Sequence, residues 1–204
     1  DVRRMLMLQK AIAEGASSLI FEAALYHDIE KNSPDEEERT KYNLMLELLT
    51  PIVKTYPSEM GRLAVNNGLQ VLGGYGFCSD FILQQYYRDI RIFSIYEGTT
   101  GIQSIDLLGR KLTMQQGKAM KLLAGEMKTV IEAAMAIDEL KPYAKQLLEK
   151  LELNKEVMTF LMGFAMQGDY QRFLSDATIF MEFFGTIIIG WQWLEIAVNA
   201  KQGL

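Results

Sequence analysis

An all-α fold is the reading that three features of this sequence share. Apolar residues recur every three or four positions along most of the chain, the spacing of one helix face. No segment keeps the apolar–polar alternation that a half-buried strand needs. Leu, Ala, Met, Glu and Lys dominate, and only four prolines interrupt 204 residues. The expected architecture is an up-and-down, four-helix-bundle-like part followed by an additional helical region, the two meeting near residue 115.

The elements follow in order. Residues 1–30 repeat Val2, Met5, Ile12, Ala16, Leu19 and Ala23 on one stripe, which predicts an amphipathic helix. Its alanines let neighbouring helices come close. Ser33-Pro34-Asp35-Glu36 predicts the next start: Ser33 caps, Pro34 takes the first helical position and Glu36 completes a capping box. The acidic residues 35–38 suit the positive end of a helix dipole and read as a solvated helix start. This helix is expected to run to about Thr55, bent or split at Pro51. Pro57-Ser58 begins another, which stops at Gly73-Gly74, where glycine can adopt a left-handed cap. Residues 75–81 read as a loop and 82–95 as partly helical, and a helix follows from about Thr99 to Met114. Three more helices are expected over 117–138, 142–167 and 169–201. Lys141-Pro142 and Gly168-Asp169 separate them, with Asp169 as an N-cap.

Composition narrows the function. The net charge is −5 and the cations form no long run, which argues against sequence-independent nucleic-acid binding. Cys78 is the single cysteine, so a disulfide framework and a Cys-rich zinc site are excluded, and a reduced, cytoplasmic setting is expected. His27 is the single histidine, which excludes catalysis by a histidine pair; it reads as a helix-surface residue. The twelve methionines read as adaptable core filler. Residues 183–198 are strongly apolar, yet the run is shorter than the roughly 20 residues a spanning helix needs and contains Gln192 and Glu195. A buried core helix or a subunit contact is expected there, with no membrane span. The chain opens on Asp1 with an amphipathic turn and no secretory pattern, and reads as a piece of a longer polypeptide.

Chemistry concentrates in two stretches. In Gln70-Val-Leu-Gly-Gly-Tyr-Gly-Phe77, adjacent glycines at a helix end let a backbone or a phosphate approach closely. The stretch lacks the Lys-Ser/Thr of a P-loop, and it follows a helix rather than a strand. Taken alone it is a glycine helix stop. In Ile95-Tyr-Glu-Gly-Thr99, Glu97 is followed by a glycine that frees the backbone, then by a threonine able to cap the next helix. The first N–H groups of that helix are donors for an anion. A carboxylate in such a loop can serve as a base, most effectively on a weak carbon acid when desolvation raises its pKa.

Four motifs stand in order: Gln-x-Leu-Gly-Gly-x-Gly from Gln70, Tyr-x-Arg-Asp-x-Arg-Ile from Tyr86, Ile-Tyr-Glu-Gly-Thr from Ile95, and Ile102-Gln103. Together they resemble the C-terminal helical domain of the acyl-CoA dehydrogenases. The resemblance covers residues 1–113. Asp1-Val-Arg-Arg-Met-Leu6, Gly101-Ile-Gln103 and Leu107-Leu-Gly-Arg-Lys-Leu112 bring it nearest to the longer members, similar to 3-methylmercaptopropionyl-CoA dehydrogenase, with residues 114–204 as their additional C-terminal helical domain.

The resemblance implies an FAD-dependent α,β-dehydrogenation of an acyl-CoA thioester to a trans-2-enoyl-CoA. Glu97 would be the α-proton base and flavin N5 would take the hydride. Gln70, Val71, Leu72, Gly73 and Gly74 would contact FAD, in many members that of a neighbouring subunit. Thr99, Thr100 and Gly101 would lie along its phosphates or adenine end, and Gly98 with Glu97 would touch substrate. Gly101 departs from the Glu or Gln frequent at that place, so no side-chain contact is implied there. Electron-transferring flavoprotein would be the electron acceptor, and the helices would build a homo-oligomer. Arg88, Asp89 and Arg91 read as structural ion pairs, Tyr75, Phe77, Tyr86 and Tyr87 as packing, with Tyr75 a candidate for lining the site. Cys78 reads as inert. The family's N-terminal α-domain and middle β-domain have no counterpart in these residues, so the chain alone is expected to be inactive. The alternative is a non-catalytic helical assembly module of a flavoprotein with a vestigial site.

Overall fold

The computed structural model describes residues 1–203. Every regular element among them is helical, as the periodicity requires: α1 (Val2–Asn32), α2 (Glu36–Leu72), α3 (Leu83–Asp89), α4 (Thr100–Gly109), α5 (Lys118–Met135), α6 (Lys141–Met166), α7 (Tyr170–Ser175) and α8 (Ala177–Gln202). Short 3-10 turns follow α2, α3 and α4.

A three-residue link folds α1 back along α2. Ser33 ends α1, its N–H bonded to the Ile29 carbonyl at 2.9 Å. The expected capping box at Ser33 and Glu36 is replaced by a cap at Asp35, whose carboxylate accepts the Glu37 N–H at 2.9 Å. The Ser33 hydroxyl holds the link instead, accepting the Asp35 N–H at 3.1 Å and donating to Glu38 at 2.5 Å. Helical backbone begins only at Glu36, so the residue placed to cap is Asp35, at φ −86°, ψ 120°, while Ser33 before the proline is extended at φ −61°, ψ 136°.

The expected break near Pro51 and Pro57 does not occur, and α2 runs through both for 37 residues. Each proline deletes one backbone bond, at a cost of about 3 kcal/mol. Met45, Leu48, Leu49 and Ile52 on the same stretch are fully buried. At about 1.5–3 kcal/mol per buried side chain, their packing outweighs that cost. Beside the prolines, Thr50 Oγ1 donates to the Leu46 carbonyl at 2.7 Å and Ser58 Oγ donates to the Lys54 carbonyl, a back-bonding that bends helices.

One hydrophobic core joins both halves of the chain. It takes Leu19 and Tyr26 from α1, the α2 residues just named, Leu107 and Leu108 from α4, Leu123, Met127 and Ile131 from α5, and Phe184, Ile188 and Trp191 from α8. Among the described residues α8 is the one helix long and apolar enough to cross a membrane. In this fold it is the central core helix, packed on α1, α4, α5 and α6. Polar contacts tie it to α1: the Gln192 carbonyl oxygen accepts the Ser18 hydroxyl at 2.5 Å, and Trp193 Nε1 donates to the Ala11 carbonyl at 3.1 Å, while the buried Gln192 amide nitrogen has no partner among the described residues.

Two further expectations are corrected. The helix foreseen to Met114 ends at Gly109; beyond it the chain turns through Gln115, Gln116 and Gly117, all at positive φ. The buried Lys111, paired with Glu47, and the buried Leu112 anchor that turn. The single helix foreseen over 169–201 breaks at Asp176 into α7 and α8, which lets Phe173 and Phe180 both enter the core. Asp169 does cap α7, accepting the Arg172 N–H at 3.1 Å.

Candidate functional site

Glu97 stands on a tight turn between a 3-10 segment, Ile90–Ser94, and α4. Its φ is +52° and that of Gly98 is +94°. Two consecutive left-handed residues reverse the chain, and the glycine foreseen as backbone freedom supplies the second of them. A Cβ on Gly98 would also lie 2.8 Å from the Gln103 amide nitrogen. The Glu97 side chain is exposed.

The turn is gripped from two helices. Gln103 of α4 donates its amide to the Glu97 carbonyl at 3.1 Å. Lys54 of α2, half-buried, donates to the Gly98 carbonyl. Ser58, one turn further along α2, lies 3.2 Å from the Phe93 carbonyl. Ser94 is buried, and Arg91 donates to its hydroxyl. None of Arg88, Asp89 and Arg91 forms an ion pair among the described residues, so the structural ion pairs expected of them are absent there.

Thr99 caps α4, its hydroxyl accepting the Ile102 N–H at 3.4 Å. Thr100 turns its hydroxyl inward, donating to Glu59 of α2 at 2.5 Å. What Thr100 and Gly101 present outward is therefore backbone N–H. These first-turn donors have no intrahelical acceptor and favour negative charge.

Gln70, Val71 and Leu72 form the last turn of α2, and Gly73 and Gly74 follow. Gly73 has φ +61° and ψ −143°. That is a region open essentially to glycine, although not the left-handed helical cap the sequence suggested. An added Cβ at either glycine would meet no atom within 4 Å, so the backbone here is open to close approach from outside. Sixteen residues separate Lys54, beside the Glu97 turn, from Gln70, about 24 Å along one helix. The two motif stretches are thus strung along α2 rather than gathered into one pocket.

Tyr75, Phe77, Tyr86 and Tyr87, expected as packing, are exposed, at 74%, 82%, 50% and 43%. Ile92, Phe93, Ile95, Tyr96, Ile102 and Ile105 extend this exposed apolar surface around the Glu97 turn. Exposed large apolar residues concentrated on one segment are candidates for a contact surface. Cys78 is a free, exposed thiol. Sequence reasoning missed Lys54, Ser58 and Glu59. They sit inside a helix with no motif of their own, and only the path of residues 93–100 across α2 gives them a role.

The C-terminal domain model of the acyl-CoA dehydrogenases matches residues 1–113, and the acetyl-CoA dehydrogenase C-terminal-like model matches residues 123–204. The 3-methylmercaptopropionyl-CoA dehydrogenase of Ruegeria pomeroyi is 34% identical over 199 residues, 94% of this chain and 32% of that protein. A butyryl-CoA dehydrogenase of Syntrophomonas wolfei is 39% identical over 121 residues, 59% of this chain and 20% of that protein. The chain therefore spans a third or less of the length of these curated relatives. The crystal structure of Caenorhabditis elegans ACDH-11 in complex with C11-CoA superposes with a TM-score of 0.83 at 22% identity, over 97% of this chain and 32% of that one; it shares the fold. By motif order, family match and architecture, the chain belongs to the acyl-CoA dehydrogenase family, of which it is a C-terminal portion.

Proposed function

We propose that this chain is the C-terminal part of an FAD-dependent acyl-CoA dehydrogenase and that Glu97 removes the α-proton of an acyl-CoA thioester. The observation that carries the reading is the Glu97 turn: an exposed carboxylate on a left-handed residue, followed by Gly98 and the open N-terminus of α4. An α-proton becomes acidic only when the enolate oxygen is stabilised as it forms. The N–H of Glu97 itself is the proposed donor to that oxygen, and Gly98 touches the substrate beside it.

The residues present fit one edge of a flavin site. Gly73 and Gly74 leave their backbone uncovered, so the Gln70–Gly74 segment can lie against FAD. Thr99, Thr100 and Gly101 offer backbone donors to its phosphates or adenine end. The distance along α2 between these groups supports assigning Gln70–Gly74 to the FAD of a neighbouring subunit in a homo-oligomer. The chemistry supplied by bound FAD is acceptance of the β-hydride at N5, which leaves a trans-2-enoyl-CoA. Electron-transferring flavoprotein is the proposed electron acceptor. The chain's own part is to place the carboxylate, orient the thioester oxygen and present the apolar surface around residues 92–105 to the parts of the polypeptide that close the site.

Because Glu97 is exposed, the water exclusion that a carbon-acid base requires has to come from those other parts. The isolated chain is therefore expected to hold no stable FAD and to show no dehydrogenase activity; a stable yellow complex of residues 1–204 would contradict this. Residues 1–113 are proposed as the helical bundle that carries the site and 114–204 as the additional helical domain that backs it. The exposed aromatic surface also favours a second reading, a helical assembly module whose flavin site is vestigial.

Glu97→Gln in the complete flavoprotein separates the two. With butyryl-CoA and octanoyl-CoA as probes, flavin bleaching should slow by at least about 100-fold while FAD stays bound. Bleaching at the wild-type rate would remove Glu97 from the role of base. A wild-type flavoprotein that no acyl-CoA bleaches would favour the assembly module.

A further inference from the structure

We infer that Lys54 is a positioning residue for the Glu97 turn, holding the Gly98–Thr99 peptide, the second one on from the Cα that presents the carboxylate; this rests on Glu97 being the base. Lys54 lies mid-way along α2, half-buried beneath residues 93–100. It forms no ion pair among the described residues, and its ammonium group donates to the carbonyl of Gly98. An ammonium committed to one backbone carbonyl, without a carboxylate partner, fixes that peptide plane by a charge-assisted hydrogen bond.

The turn needs such a grip. Glu97 is a non-glycine residue at φ +52°, and a conformation of that kind persists only where surrounding groups over-determine it. Here the two carbonyls on either side of Gly98 are both held: that of Glu97 by the Gln103 amide at 3.1 Å, and that of Gly98 by Lys54. A trans peptide is planar, with its N–H opposed to its C=O. A Gly98 carbonyl drawn down to α2 therefore sends the Thr99 N–H away from α2, and the Gln103 bond fixes the preceding peptide in the same way. Together they set the direction in which the Glu97 side chain leaves the turn. Glu59, which accepts the Thr100 hydroxyl at 2.5 Å, ties the next residues to the same helix. A one-ångström misplacement of a reacting group costs on the order of 100-fold in rate, so the effect of Lys54 on turnover is expected to be large although it touches neither substrate nor cofactor.

The test uses Lys54→Met, which keeps the length and apolar stem of the side chain, and Lys54→Arg, which restores a charged donor. In residues 1–204, the NMR order parameters of the Glu97, Gly98 and Thr99 amides should fall in Lys54→Met, amide hydrogen exchange in the rest of α2 should stay unchanged, and Lys54→Arg should restore most of the order. In the complete flavoprotein, kcat with octanoyl-CoA should fall ten- to hundredfold in Lys54→Met, with KM and bound FAD near wild type and partial recovery in Lys54→Arg. Wild-type order parameters at residues 97–99 and wild-type kcat in Lys54→Met would overturn the inference. So would loss of α2 protection or of FAD that Lys54→Arg fails to restore, because Lys54 would then serve the fold. Glu97→Gln runs alongside: wild-type activity in that variant overturns the base assignment and the catalytic half of this inference, while the order parameters of residues 97–99 still decide whether Lys54 holds the turn.

Discussion

Glu97 and Glu195 are two carboxylates whose surroundings set what they can do. Taken alone a loop Glu is ordinarily a solvated charge; Glu97 was legible as a candidate because the ordered motifs from Gln70, Tyr86 and Ile95 resemble those of the family. Its positive φ was not legible, because the contacts that Lys54 and Gln103 make to the Gly98 and Glu97 carbonyls come from α2, distant in sequence, and from α4, beyond the turn. Glu195 showed in the sequence only as an interruption of an apolar run. Burial pushes its carboxyl up to about 7, and the carboxylates of Glu22 and Glu126 push in the same direction. Its ordinary value is 4.5. Between those two values the folded chain keeps a proton that the unfolded chain has released. The stability Glu195 contributes is thus complete below the lower value and is lost as pH rises through the upper one. Glu195→Gln should flatten this loss; the shift corresponds to roughly 3 kcal/mol, which solvent screening of this half-buried group reduces, leaving the variant about 1–2 kcal/mol more stable than wild type at pH 8 and little different near pH 4.5. Urea unfolding of both proteins across that range measures it, and identical pH trends would contradict the assignment.

Between elements, the sequence marked most helices well and their ends less well. Apolar periodicity located α1, α5 and α6 within a few residues. Pro51 and Pro57 misled, because a proline's local cost is visible in sequence whereas the burial of Met45, Leu48, Leu49 and Ile52 that offsets it is a property of the whole fold. Asp176 hid the α7–α8 break because nothing in the local pattern separates an exposed helical Asp from one that ends a turn. The α1–α8 crossing depends on a single small residue. A Cβ at Gly15 would lie 2.8 Å from Trp193 Nε1 and 3.0 Å from Ile189 Cγ2. Gly15→Leu should therefore destabilise the chain by about 1–3 kcal/mol despite its better helix propensity, and should weaken the Trp193–Ala11 bond. Thermal unfolding followed by tryptophan fluorescence reads both, and an unchanged or raised melting temperature would sink the idea.

At the scale of the molecule, the chain is a well-packed scaffold carrying an open site. Its core draws on α1, α2, α4, α5 and α8, while the surface around Glu97 and beyond Gly73 is apolar and uncovered. The first half of that contrast follows from periodicity alone. The second was not legible, since Tyr75, Phe77, Tyr86 and Tyr87 have the composition of core residues and only their position shows that this chain does not cover them. The chain matches a third or less of its relatives' length and holds the Glu97 carboxylate out on a turn at positive φ. The most direct test of the central claim isolates proton removal from hydride transfer. A 3-thia acyl-CoA has sulfur in place of the β-methylene and no β-hydride to give. With the complete flavoprotein in D2O, the wild type should exchange the α-hydrogens of this probe, and Glu97→Gln should exchange them at least about 100-fold more slowly with FAD retained. Exchange at the wild-type rate in Glu97→Gln would show that Glu97 is not the base.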